Sequence, residues 1–144
     1  MSGSTEQDAN VGVKPGYEGG ELELAMGIEF LELSAAHSVA RMPVLGNRQG
    51  TGLLHGGAHV VLAESLGSIS AAAHAGPGRY AVGIEINASH SRSVTDGAVT
   101  ATCTALHLGR TVCTHEIVVR DDQGRRCSTI RMTNLIRTNL EAQA

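Results

Sequence analysis

The stretch 58–75, AHVVLAESLGSISAAAHA, is the strongest constraint on how this chain folds. It is rich in helix-forming Ala and Leu, and Gly76-Pro77-Gly78 stops it abruptly. Its positions are apolar or small nearly all round, the pattern of a helix buried on most sides. Four strand-like runs follow, near 81–90, 98–107, 111–120 and 126–137, with β-branched residues dominating. Leu108-Gly109-Arg110 and Asp121-Asp122-Gln123-Gly124 carry hairpin-turn chemistry between them. Val99, Ala101, Cys103 and Ala105 alternate with Thr100, Thr102 and Thr104, as in a sheet covered on one face. One helix against one face of an antiparallel sheet is an α+β layer arrangement.

Upstream of the helix, residues 25–44 carry short, partly alternating apolar sets, which predict a short turn and one strand. Residues 1–20 are polar and Gly-rich without an apolar period, so a loose N-terminal arm is expected before a single domain over 21–144. A chain of 144 residues suits one core, and no internal repeat suggests otherwise.

A formal charge of -3, with 11 Lys and Arg scattered along the chain, supplies no basic field and excludes nucleic acid as the expected partner. Neither a leader nor an uninterrupted apolar span is present, so no membrane partner and a cytoplasmic location are expected. Cys103, Cys113 and Cys127 lack C-x-x-C spacing and are expected to be reduced core thiols, not metal ligands.

Glu64 is the only charged side chain between Arg48 and Arg79. An ionised carboxylate on a buried helix needs a reason to be there, because desolvation costs several kcal/mol. The bland alternative places Glu64 at an exposed helix edge. Ser68, four residues on, shares its face and can hydrogen-bond the carboxylate or something bound beside it. The loop Gln49-Gly50-Thr51-Gly52-Leu53-Leu54-His55-Gly56-Gly57 delivers the chain into the helix. Glycines there leave backbone N–H groups open at the positive end of the helix dipole, which suits a carbonyl oxygen gaining negative charge. Equally, they can simply make the turn while His55 caps the helix.

Gly56 and Glu64 are eight residues apart, roughly 12 Å along a helix at 1.5 Å per residue. Both must come within about 3 Å of a reacting carbonyl, which one chain does not allow. If both act, the site is shared across a two-fold dimer with antiparallel helices.

The spacing Gln-x5-His-Gly-Gly-x6-Glu, here Gln49, His55-Gly56-Gly57 and Glu64, resembles the hotdog-fold acyl-CoA thioesterases of the phenylacetic-acid-pathway type. It is also similar to the related 4-hydroxybenzoyl-CoA thioesterases of the Arthrobacter class. The resemblance covers about residues 27–137 and implies a hotdog fold, one long central helix wrapped by a curved antiparallel β-sheet. It implies hydrolysis of an aryl- or arylacetyl-CoA with no cofactor beyond the coenzyme A of the substrate. Gly56 would polarise the thioester carbonyl, with Gly57 beside it and Gln49 and His55 orienting that end of the substrate. Glu64 of the partner subunit would be nucleophile or general base, assisted by Ser68. His90 would lie near the acyl group and Arg92 near the nucleotide, while Arg110, Thr111 and Arg137 would meet coenzyme A phosphates. Arg110 stands where the hydroxybenzoyl enzyme has a small hydroxyl residue. An obligate homodimer, assembled into a tetramer as a dimer of dimers, is implied as well. A hotdog hydratase or dehydratase and a non-catalytic acyl-CoA-binding protein are the alternatives.

Overall fold

The computed structural model describes residues 17–139. They form α1 (Glu21–Met26), β1 (Glu29–Glu32), β2 (His37–Pro43), α2 (Gly56–Ala75), β3 (Arg79–His90), β4 (Ala98–Leu108), β5 (Val112–Asp121) and β6 (Arg126–Thr138). All strand pairs are antiparallel, in the order β1-β2-β4-β5-β6-β3, and α2 lies across one face of the sheet. The α+β arrangement expected from sequence is the one observed.

Leu62, Leu66, Met42, Val99, Cys103, Ile117, Ile130 and Met132 fill the space between α2 and the sheet, with no more than 1% of any of them exposed. Each large aliphatic side chain buried this way contributes about 1.5–3 kcal/mol. The Val99–Cys103 alternation holds, with Val99, Ala101 and Cys103 facing the helix. It fades at Ala105, where the β4–β5 register slips between Ala105 and His107. Both expected hairpins form. Gly109 N–H donates to the Val112 carbonyl, and the Asp121 carboxylate accepts from the backbone N–H groups of Gln123 and Arg125.

The expected single strand over 25–44 is corrected to the end of a helix followed by two strands. β1 has four residues, only one of them even half-buried, and pairs with β2 alone. Its apolar pattern is too short to announce it. α1 is held at its start by Glu23, whose carboxylate accepts from the Gly20 N–H at 3.1 Å, and at its end by Gly27 in the left-handed region. Residues 1–16 of the expected arm lie outside the described residues. Tyr17 packs its ring 5.3 Å from that of Phe30.

The three cysteines are free and buried. Burial pushes the Cys103 thiol up to about 12, against a lowering hydrogen bond with Ser70, so it stays protonated. Among the described residues no cluster of metal-ligating side chains occurs, and no helix is long and apolar enough to cross a membrane.

Candidate active site

The helix start is built from the loop before it. His55 N–H donates to the Asn47 carbonyl, Leu54 N–H to the Val94 carbonyl and Gln49 N–H to the Leu53 carbonyl. Arg48 ties the same loop to the 93–97 segment through the Thr95 carbonyl and the Asp96 carboxylate. His55 is the N-cap: its Nδ1 accepts from the Gly57 N–H at 2.8 Å, and its carbonyl accepts from Ala58. The capping reading of the glycine loop is the one observed directly. His55 caps the helix by occupying Gly57, while the Gly56 N–H has no partner among the described residues.

An open cleft of about 360 Å³ lies at this helix end, lined by Gln49, Leu53, Leu54, Gly56, His59, His90, Ser91, Arg92 and Ser93. Four expected residues, Gln49, Gly56, His90 and Arg92, thus meet in space. The His90 ring sits over Gly56 so closely that a Cβ there would come within 3.0 Å of Nε2, which is one reason the position is glycine. His90 Nδ1 is 2.9 Å from the Ser128 hydroxyl, and that hydroxyl donates to the Ser89 carbonyl. The Ser128 hydroxyl thus anchors Nδ1 of His90 and turns its Nε2 toward Gly56.

Glu64 and Ser68 open into a different cleft of about 370 Å³, whose other walls are Val61, Ser65 and Ile69 of α2 with Tyr17, Leu22 and Glu23. Ser65 donates to Glu23, tying α1 to α2 beside Glu64. The expectation of a buried Glu64 is corrected: its side chain is exposed in the single chain and has no hydrogen-bond or ion-pair partner among the described residues. Isolation of a charge in sequence indicates a covered helix, but α2 leaves this face outside its own sheet.

Arg110 and Thr111 sit in the β4–β5 turn and Arg137 late in β6, far from both clefts' helix end. Ile136 N–H donates to the Thr111 carbonyl, and His74 near the end of α2 contacts the Gly109 carbonyl at 2.6 Å. These three residues gather at the C-terminal end of α2, roughly 30 Å from its start for a 20-residue helix.

The sequence reading missed His59 and Ser128. His59 is 3% exposed, its Nδ1 is buried without a partner among the described residues, and its ring centroid lies 5.2 Å from that of His90. Burial, reinforced by His90, lowers it to about 4. The available signal was its position three residues after Gly56, on the same helical face.

Comparison with known proteins gives a consistent picture. The family model described as the thioesterase superfamily matches residues 51–128. The chain is 45% identical over 118 residues to the proofreading thioesterase EntH of Cronobacter turicensis, covering 81% of this chain and 86% of that protein. A thioesterase structure from Haemophilus influenzae superposes with a TM-score of 0.78 at 35% identity, covering 84% of this chain and 85% of that one. A mutant thioesterase from Pseudomonas aeruginosa gives 0.78 at 39% identity, with 81% and 86% covered.

Proposed function

The chain belongs to the thioesterase superfamily and is a thioester hydrolase of the hotdog fold, and from that premise we propose that it cleaves acyl-CoA thioesters, aryl- or arylacetyl-CoA among them, at sites shared between two subunits. One observation carries the proposal: the unpartnered Gly56 N–H and the exposed Glu64 carboxylate lie on one helix in separate clefts. A two-fold partner supplies what each lacks.

β3 supports that assembly. It is a 12-residue strand at the end of the sheet, with one edge unpaired and Tyr80, Val82 and Ile84 exposed on it. Pairing this edge with its own copy continues the sheet and sets the two α2 helices antiparallel, since α2 packs against β3. Glu64 then approaches the partner's cleft at Gly56, and Arg110, Thr111 and Arg137 approach the region where the nucleotide of the substrate would lie.

Hydrolysis would proceed by seating the thioester carbonyl oxygen on the Gly56 N–H. Glu64, with Ser68 beside it, then attacks the carbonyl carbon or takes a proton from an attacking water. The tetrahedral intermediate collapses and the C–S bond breaks. On the general-base route the proton held by Glu64 passes to the departing thiolate and the free acid is left. On the nucleophilic route coenzyme A takes its proton from solvent, and water then hydrolyses the mixed anhydride on Glu64 to release the acid. One such donor is worth roughly 3 kcal/mol of barrier. Gln49 and Arg92, in the same cleft, fit the thioester end and the nucleotide respectively. A hydratase would leave the thioester intact, and the thioesterase relatives argue against it.

Thiol release from a panel of aryl- and alkyl-CoA thioesters tests the reading, with Glu64→Ala and Glu64→Gln as controls. Most turnover should vanish in both variants while the assembly stays folded, and near-wild-type release would sink it. The relatives named proofreading thioesterases extend the reading to clearance of wrongly formed thioesters, which would show as broad acyl selectivity in the same panel.

A further inference from the structure

We propose that His59 is a second hydrogen-bond donor to the thioester carbonyl oxygen, its Nε2–H acting beside the backbone N–H of Gly56. The inference rests on the reading of Gly56 as the donor that polarises the carbonyl, and adds a side chain to it.

Position is the first ground. Gly56 opens α2 and His59 follows three residues later, so the two share a helical face. Side chains in a helix lean toward its N-terminus, which carries the imidazole back over the turn that Gly56 begins. His59 accordingly lines the cleft together with Gly56, His90 and Gln49. Lacking a side chain, Gly56 obstructs neither ring.

The second ground is the ring's own hydrogen-bond inventory. Nδ1 is sealed from solvent and has no partner among the described residues. Nε2 has no hydrogen bond among the described residues either, and with Nδ1 sealed and His59 lining the cleft, Nε2 is the ring nitrogen left to face it. A neutral imidazole has one N–H and one lone pair. Orphaned buried N–H groups are rarer than orphaned acceptors, which favours the lone pair on the sealed Nδ1 and the hydrogen on Nε2. The cleft thus receives a donor. His90 is already engaged, its Nδ1 paired with the Ser128 hydroxyl so that the ring is held over Gly56.

The third ground is charge. Burial and the neighbouring His90 hold His59 down at about 4, and the positive end of α2 acts in the same sense. The ring is therefore a neutral donor near neutrality, an arrangement that other enzymes use at helix N-termini to polarise carbonyls.

The test uses the full-length wild type with His59→Leu and His59→Gln, measuring kcat, KM and thermal stability on one acyl-CoA. His59→Leu should lose about 10- to 1000-fold in kcat with little change in KM, and His59→Gln, which keeps an N–H donor, should recover much of it. A purely structural His59 predicts the reverse: unchanged kcat and a protein no less stable, because a buried unpaired nitrogen has been removed. A spectroscopic measurement covers any variant that folds poorly. In the Glu64→Gln background, the carbonyl stretch of a bound acyl-CoA should sit below its solution value and shift back when His59→Gln is replaced for His59, and further with His59→Leu. A stretch indifferent to both changes, or a His59→Leu kcat within about threefold of wild type, overturns the donor role. Absence of thiol release by the wild type would instead overturn the thioesterase reading on which it stands.

Discussion

Gly56 and Glu64 lie on the same helix, eight residues apart, and open into different clefts. The separation of roughly 12 Å is about four times the reach of a hydrogen bond. Mixed dimers should therefore complement. Gly56→Pro removes the N–H at the first helical position, where the backbone suits proline but the added ring must push His90 aside, and Glu64→Ala removes the carboxylate. Each is expected to be inactive alone. A heterodimer of the two holds one intact site, so random exchange of equal amounts should restore about a quarter of wild-type turnover. Demonstrated exchange without recovery would rule out a shared site.

The open edge of β3 gives a second expectation. Ile84 is 53% exposed and Val82 41%. Placing Lys at both should prevent strand pairing, giving monomers by light scattering together with loss of turnover. Full activity in a monomer would refute the requirement for a partner.

Ser128 is fully buried and holds His90 over Gly56. Ser128→Ala leaves His90 Nδ1 without its partner. One hydrogen bond of this kind is worth about 0.5–1.5 kcal/mol, so kcat/KM should fall roughly 2- to 10-fold. Steady-state kinetics at constant fold, checked by circular dichroism, decides it.

His59 also makes stability depend on pH. Its folded value near 4 lies below the ordinary 6.5, so between those values the unfolded chain binds the extra proton. The contribution is complete above about 6.5 and is lost as pH falls toward 4. Urea midpoints should drop over that window, and His59→Leu should flatten the drop. His115 is also lowered by burial, with the Ala35 carbonyl opposing and His74 adding, so some slope will remain.

Gly97 has φ +75°, and a Cβ there would collide with the Asp122 carboxylate that accepts from the Ala98 N–H. Gly97→Ala should cost about 1–3 kcal/mol from backbone strain and the disturbed hydrogen bond, measured by urea denaturation.

Much of this was legible in the sequence because its signals are local. Runs of β-branched residues ended by Gly109 and Gly124 mark β4 to β6, and the Ala-rich stretch before Gly76 marks α2. β1 was not legible, since four largely exposed residues become a strand only by pairing with β2. The spacing of Gln49, His55, Gly56 and Glu64 was visible, and so was the separation of Gly56 from Glu64 along one helix. Exposure of Glu64 was hidden, because a residue string does not record which helix face its own sheet leaves open. His59 and Ser128 escaped for a related reason: each draws its interest from His90, which reaches both only after β3 has docked.

That docking has an order in time. Among the described residues β3, which carries His90, borders β6 and no other strand, and β6, ending at Thr138, follows all the other elements in the chain. During synthesis the helix and β3 emerge long before the strand that β3 needs, so one side of the sheet waits with its backbone groups unpaired. The sheet can grow from β2 through β4 and β5, but the cleft at Gly56 gains its His90 wall only when β6 arrives to pair with β3. A chain cut before β6 lacks both the Ser128 that anchors His90 and the Ile130 and Met132 of the core, so its cleft at Gly56 has no His90 wall.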